Sequence, residues 1–180
     1  AINDSADIEA VPLDQAINRI LATDLLSPID VPAADNSAMD GFAFNGKCLD
    51  TSSPTISLKV IGTALAGKPY EGNIGVGECL KIMTGAVMPA GCDTVIPQEF
   101  TSAQDENSIE FKQDQLKLGE NRRLRGEDLQ KGKPAIAAGR LLRPSDLGLA
   151  ASLGIASLPV KHKLKVAILS SVDELRTLGQ

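Results

Sequence analysis

Three polar segments of this sequence carry side chains that are suited to binding or activating an anion. Residues 36–41 (NSAMDG) contain Asp40, and residues 83–89 (MTGAVMP) contain Thr84 beside a glycine. Residues 122–129 (RRLRGEDL) pack three arginines and two carboxylates together. Arginine offers a planar fork of donors that fits phosphate and other oxyanions, and a hydroxyl at a glycine turn adds donors. Carboxylates can hold Mg²⁺ or orient the arginines. The residue types therefore predict a site for a small anionic ligand.

Each of these segments also has a simpler structural interpretation. The Asp-Gly step at Asp40 suits a turn in which the carboxylate satisfies its own backbone. Thr84 can lie in the loop that ends a strand, with no further role. The charges of residues 122–129 can form an internal ion-pair cluster. The residue types alone leave both interpretations open.

A fourth polar segment, residues 170–175 (SSVDEL), follows an apolar run at residues 166–169. Ligands of open α/β sheets bind at the carboxyl ends of the strands, so Asp173 and Glu174 are candidates for binding a metal or substrate hydroxyls. Acidic residues also favour the first turn of a helix, because the helix dipole is positive there. The two interpretations are compatible.

Composition excludes several classes of protein. The 180 residues have a formal net charge of −5, which argues against nucleic acid as a partner because a polyanion needs a broad basic face. No apolar run reaches the length of a membrane span. The cysteines, Cys48, Cys79 and Cys92, and the single histidine, His162, are too scattered for a zinc site. Free thiols of this kind predict a cytoplasmic protein.

Hydrophobic periodicity predicts a mixture of helices and short strands. Leu13, Ile17, Ile20 and Leu21 recur at helical spacing and predict a short amphipathic helix. A second helix is predicted over residues 145–153, with Ser145 as its N-cap. β-branched segments between glycine and proline turns predict strands at residues 55–61, 78–83, 93–99, 108–112, 155–160 and 165–170.

These elements predict a mixed α and β fold built around an insertion. We expect residues 8–27 and 133–160 to form one small discontinuous α/β domain, since each piece is too small to fold alone. Residues 28–132 are predicted to form an inserted all-β module. Residues 161–180 then supply the first strand of a truncated α/β domain, and we expect the natural protein to be longer.

In their order and spacing, the segments resemble the molybdopterin molybdenumtransferase family (MoeA, and the matching domain of gephyrin). The similarity extends over residues 20–32, 36–41, 82–92, 125–128, 152–155 and 166–170. It implies an elongated, multi-domain protein. This chain would hold a discontinuous domain, an inserted β domain, and the opening strand of a molybdopterin-binding-like α/β domain.

The resemblance also implies a reaction. The family inserts molybdate into adenylylated molybdopterin and releases AMP, requires Mg²⁺, and acts as a homodimer; other proteins of the molybdopterin pathway are further candidate partners. We expect the chain by itself to be inactive, because most of the substrate-binding domain is missing. The rival hypothesis is a β-rich interaction module that scaffolds pathway proteins without chemistry of its own.

The resemblance carries functional roles onto individual positions. The residues implied to be catalytic are Asp40, Thr84, Arg123, Asp128 and Glu174. Among these, Thr84 and Arg123 would bind the cofactor precursor, and Asp40, Asp128 and Glu174 are the candidate Mg²⁺ ligands. The sequence departs from the family pattern at Ser171 and Val172, where threonine and glycine are usual, and Leu124 interrupts a basic triplet.

Overall fold

The computed structural model describes residues 7–50, 52–105 and 107–167, and shows a mixed α and β fold that is mostly strand with one α-helix. The strands are β1 (Ile8–Pro12), β2 (Leu25–Leu26), β3 (Asn36–Ser37), β4 (Gly41–Phe44), β5 (Thr55–Ala64), β6 (Glu78–Ile82), β7 (Thr94–Pro97), β8 (Ser102–Asp105), β9 (Ser108–Lys112), β10 (Arg122–Arg123), β11 (Pro134–Ile136) and β12 (Ser157–Lys161). Helix α1 spans Pro144–Ser152, and 3₁₀ turns span Leu13–Gln15, Gly46–Leu49, Gln98–Phe100 and Gln113–Gln115.

The described residues divide into two compact units. One unit combines the residues up to Leu26 with those from Pro134, and the other is Ser27–Lys133. The third predicted domain, residues 161–180, lies largely outside the described residues, as does the second half of the strand predicted at 165–170; its described half, residues 165–167, forms no strand. Within the described ranges, no helix is long and apolar enough to cross a membrane.

The Ser27–Lys133 unit is built on a six-stranded sheet with the order β7-β4-β6-β5-β9-β8. All its pairs are antiparallel except β5 with β6, which run parallel. Side chains of successive strand residues point to opposite faces, and both faces are covered by core. Ala43 and Val95 belong to one core cluster, whereas their neighbours Phe44 and Ile96 belong to another. This buried sheet fixes the strand ends from which the site residues extend.

The other unit closes around two small antiparallel sheets, β1 with β12 and β2 with β11. Its core contains Leu21, Leu142, Leu158 and Val160, which are fully buried. The chain segments that meet here are separated by more than a hundred residues of sequence, because the other unit is inserted between them.

The helix predicted from Leu13 to Leu21 is wrong. A single 3₁₀ turn ends near Ala16, and Asn18 adopts a left-handed conformation with a φ of 58°. The chain then extends, and Ile20 and Leu21 bridge to Leu141 and Val160. Leu21 is buried as the apolar spacing suggested, but strand-like pairing with distant segments places it there.

The second predicted helix exists, with a different N-terminus. Helix α1 begins at Pro144, and the preceding residue, Arg143, is its N-cap, so the prediction of Ser145 as N-cap is wrong. Proline is favoured at the first helical position because its missing N–H needs no partner there. The buried carboxylate of Asp146 accepts the backbone N–H of Arg143 at 2.9 Å and so satisfies the helix end.

Candidate functional site

The first pair of predicted site residues is in direct contact. One oxygen of Asp40, Oδ1, accepts the backbone N–H of Thr84 at 2.6 Å and the Thr84 hydroxyl at 2.7 Å. The backbone N–H and then the hydroxyl of Thr84 hold the pKa of the Asp40 carboxyl below its ordinary value. Asp40 is therefore an oriented, ionised carboxylate, and the donors that the sequence suggested for an external anion are in contact with it instead.

Strand β3 brings the three predicted segments together. Asn36 pairs with Arg123 across the β3–β10 ladder and forms a bridge with Val87. The backbone N–H of Gly85 donates to the carbonyl of Ser37 at 2.8 Å. The segments that contain Asp40, Thr84 and Arg123 are thus neighbours within one unit, although most of a hundred residues separate their ends in sequence.

The second group of predicted residues is an ion-pair cluster around Arg123. Its Nε donates to Glu127 Oε1 at 2.5 Å, and its Nη2 donates to Asp128 Oδ2 at 2.5 Å. Glu127 also accepts the backbone N–H of Leu124 through Oε2, at 2.8 Å. The hydrogen bonds of Glu127 and then of Asp128 raise the pKa of Arg123, so its guanidinium stays charged.

This cluster is the internal ion-pair arrangement that the sequence left open, and it is compatible with anion binding. A guanidinium has five N–H donors, and the two bonds to Glu127 and Asp128 leave three. Arg123 is half-exposed, with 40% of its side-chain surface accessible. The carboxylates therefore fix the orientation of Arg123 while its remaining donors can meet an anion.

The neighbouring arginines are also balanced by acids. Arg125 Nε donates to Asp30 Oδ2 at 2.7 Å, and Arg122 Nη1 lies 3.7 Å from Asp35 Oδ2. The three arginines of residues 122–125 therefore belong to a network of opposite charges. Among the described residues, no hydrogen bond or ion pair joins the Asp40–Thr84 pair directly to the Arg123 cluster.

Lys81 is a further charged residue near the site that its sequence context by itself did not reveal: it is exposed on β6, and its positive charge also lowers the pKa of Asp40. It stands opposite Phe42 in the β4–β6 ladder, close to the start of β4. A sequence signal existed, because Lys81 is the one charged residue in the apolar run before Thr84. Sequence alone cannot place it beside Asp40, since that depends on the pairing of two strands.

The predicted metal ligands are described only in part. Glu174 and its neighbour Asp173 lie outside the described residues. Within the described ranges, no group of three or more acidic, histidine or cysteine side chains is arranged to hold a metal ion. In the same ranges, Asp40 Oδ2 and Asp128 Oδ1 accept no hydrogen bond. Each carboxylate thus presents one oxygen of the kind that Mg²⁺ prefers.

The Asp40–Thr84 contact leads to a prediction about acidity. Thr84→Val keeps the backbone N–H and removes the hydroxyl donor, so we expect the pKa of Asp40 to rise toward its ordinary value of 3.8. Because the folded-state pKa is depressed, the contribution of Asp40 to stability is present at neutral pH and is lost as the pH falls through that pKa. An NMR titration of the side-chain carboxyl carbon measures the shift.

Thr101→Val is the matched control for this titration. The Thr101 hydroxyl donates to the carbonyl of Gln98 at 2.9 Å rather than to a carboxylate. We expect this variant to leave the Asp40 titration unchanged. An Asp40 pKa in Thr84→Val equal to that of the wild type would show that the hydroxyl contributes nothing.

Fold and site together define a class of protein: a discontinuous two-unit module, mostly β, whose inserted unit carries both an oriented carboxylate and an arginine that is held by two carboxylates. The chain belongs to the family described as the MoeA N-terminal region (domain I and II), whose family model matches residues 1–154. This finding confirms the resemblance noted in the sequence.

Curated relatives and solved structures agree with this assignment. The chain is 41% identical over 172 residues to a molybdopterin molybdenumtransferase of Haemophilus influenzae, covering 96% of this chain and 42% of that protein. It is also 41% identical over 172 residues to the protein of that name from Synechococcus elongatus, covering 93% of this chain and 42% of that protein. A crystal structure of the molybdopterin biosynthesis moeA protein from Pyrococcus horikoshii OT3 superposes with a TM-score of 0.79 at 33% identity, covering 89% of this chain and 42% of that chain. The chain thus spans under half the length of these relatives.

Proposed function

We propose that the protein carrying this chain works in molybdenum cofactor biosynthesis and inserts molybdate into adenylylated molybdopterin with release of AMP. The observation that carries the proposal is the convergence of the Asp40–Thr84 pair and the Arg123–Asp128 pair around β3. Relatives whose alignments cover most of this chain are named molybdopterin molybdenumtransferase, and these names support the same pathway.

In this proposal the chain supplies one wall of an anion site. The remaining donors of Arg123 hold an oxygen of molybdate or of the substrate phosphate, while Glu127 and Asp128 keep the guanidinium in orientation. Fixed donors of this kind stabilise charge that develops in a transition state. Thr84 fixes Asp40 through Oδ1, so that Oδ2 is presented to the ligand.

The carboxylate oxygens left without partners within the described residues fit a role in holding Mg²⁺. Asp40 Oδ2 and Asp128 Oδ1 would be its protein ligands in this chain, with Glu174 as a further candidate. Mg²⁺ usually keeps several waters and binds through one or two carboxylates together with substrate phosphates. When bound, it would neutralise negative charge at the phosphate.

The test is an assay of the full-length protein with adenylylated molybdopterin, molybdate and Mg²⁺, in which AMP and molybdenum cofactor are measured by chromatography. We expect AMP release to depend on molybdate and to fall when Mg²⁺ is chelated. The 180-residue chain alone is expected to be inactive. AMP release that does not depend on molybdate would contradict the proposal, and a folded but inactive full-length protein would favour the scaffold hypothesis. Homodimer formation and a cytoplasmic location stay predictions.

A further inference from the structure

Asp35 connects two of the site segments through separate atoms. Its side-chain Oδ1 accepts the backbone N–H of Arg125 at 2.8 Å, across 90 residues of sequence. Its backbone carbonyl accepts the N–H of Met88 at 2.9 Å. One residue thus bonds both to the loop that carries Asp128 and to the loop that carries Thr84.

The loop around Arg125 has further anchors on the C-terminal side of the Arg125 amide. The backbone N–H groups of Gly126 and Asp128 donate to the carbonyls of Pro32 and Val31, each at 3.0 Å. Asp30 accepts the backbone N–H of Lys131 at 2.8 Å and the guanidinium of Arg125 at 2.7 Å.

On the N-terminal side of the Arg125 amide, the same loop is held by one strand pairing and by a hydrogen bond within the loop. Arg123 pairs with Asn36 through strand β10, and Leu124 donates only to Glu127 within the loop itself. The Arg125 amide, which lies between Arg123 and Asp128, therefore depends on the Asp35 carboxylate. Loss of this acceptor would leave the amide without its partner and free the turn that sets the two charged groups at their relative positions.

We propose that Asp35 is a positioning residue for the reaction proposed above. It holds the 122–128 loop against the segment before Asp40, so that Arg123 and Asp128 stay aligned with the Asp40–Thr84 pair. Asp35 acts through the loop and has no contact with substrate in this assignment. Its second oxygen, Oδ2, lies 3.7 Å from Arg122 Nη1, so Asp35 also pairs with a charge on strand β10, which leads into this loop. The inference rests on the proposed function.

Three substitutions separate the geometry of Asp35 from its charge. Asp35→Asn keeps an oxygen that can accept the Arg125 N–H, so we expect its kcat to stay within about fivefold of the wild type. Asp35→Ala removes the acceptor, and we expect kcat to fall roughly 10- to 100-fold, the usual loss when a group that orients a metal ligand, here the proposed ligand Asp128, is removed. Asp35→Glu keeps the charge but moves it by one methylene, and it should also lose activity. KM for adenylylated molybdopterin should change less than kcat in each variant.

Asp24→Ala is the matched control, because Asp24 Oδ1 also accepts one distant backbone N–H, that of Ala138, at 2.7 Å. It belongs to the other compact unit. We expect this variant to lose some stability but to keep the wild-type kcat. If kcat fell equally in Asp24→Ala and Asp35→Ala, the loss in Asp35→Ala would be explained by general destabilisation, and the proposal would be overturned.

A double substitution distinguishes failure of this inference from failure of the proposed function. If Asp35 acts through the loop, the loss of kcat in Asp35→Ala combined with Asp128→Ala should be smaller than the product of the two single losses. Losses that multiply would overturn the positioning role, as would an impaired Asp128→Ala beside fully active Asp35→Ala and Asp35→Glu. Wild-type turnover in Asp128→Ala would instead contradict the proposed site itself, and the positioning role with it.

Discussion

Arg123→Ala is expected to lower the turnover of the full-length protein by on the order of 10²- to 10³-fold, the usual cost of removing a fixed donor from developing negative charge. The substitution removes the guanidinium and leaves Glu127 and Asp128 without their shared cation. The two carboxylates are then uncompensated, and their negative charge repels the anionic substrate that is proposed to bind there. The measurement is kcat for molybdate-dependent AMP release.

Two further variants sharpen this result. Arg123→Lys keeps the charge, but an ammonium cannot reproduce the fork that bonds Glu127 through Nε and Asp128 through Nη2, so we expect it to remain impaired. Arg140→Ala is the control: Arg140 also pairs with a carboxylate, that of Asp146 at 2.9 Å, but in the other unit. Wild-type turnover in both Arg123→Ala and Asp40→Ala would remove the basis of the site assignment.

Gly41→Ala is expected to destabilise the Ser27–Lys133 unit by about 3 kcal/mol or more, at the upper end of the cost of overpacking. A Cβ at this position would stand 2.1 Å from the carbonyl oxygen of Ile96 and 3.0 Å from the Cα of Pro97. Both atoms belong to the backbone of β7, so no side-chain rotation relieves the clash. Strands β4 and β7 would have to separate next to Asp40. Chemical denaturation followed by circular dichroism measures the loss of unfolding free energy.

Gly148→Ala is the matched control for Gly41→Ala. Gly148 lies inside helix α1, and a Cβ there meets no atom within 4 Å. Because alanine is favoured over glycine in a helix interior by roughly 0.5–1 kcal/mol, this variant should gain stability. If Gly41→Ala were as stable as the wild type, the close approach of β4 and β7 would not be what requires glycine at position 41.

The reason for Gly41 illustrates what the sequence could not show. The Asp-Gly step suggested a tight turn, yet Gly41 is the first residue of β4 and pairs with Ile82 on one side and Pro97 on the other. The requirement for glycine comes from a neighbouring strand more than fifty residues away. Local sequence contains no information about that neighbour.

Local patterns were sufficient where local forces dominate. The structure contains the strands predicted near residues 55, 78, 94 and 108 and the helix that ends at Ser152. β-Branched residues favour the extended conformation of a strand, and proline favours the first position of a helix. The helix predicted near Leu13 failed because pairing of Ile20 and Leu21 with distant residues overrode a short and weak helical pattern.

By itself, the sequence determined the family, the mixed fold class and the residue types of the site, since these follow from motifs and periodicity along the chain. Only the tertiary structure decided that Thr84 donates to Asp40, that Arg123 is held by Glu127 and Asp128, and that Asp35 connects two loops. Hydrogen bonds act over about 3 Å, and which groups come that close depends on strand pairing between segments far apart in sequence. The sequence states which side chains are available, whereas the fold decides which of them come into contact.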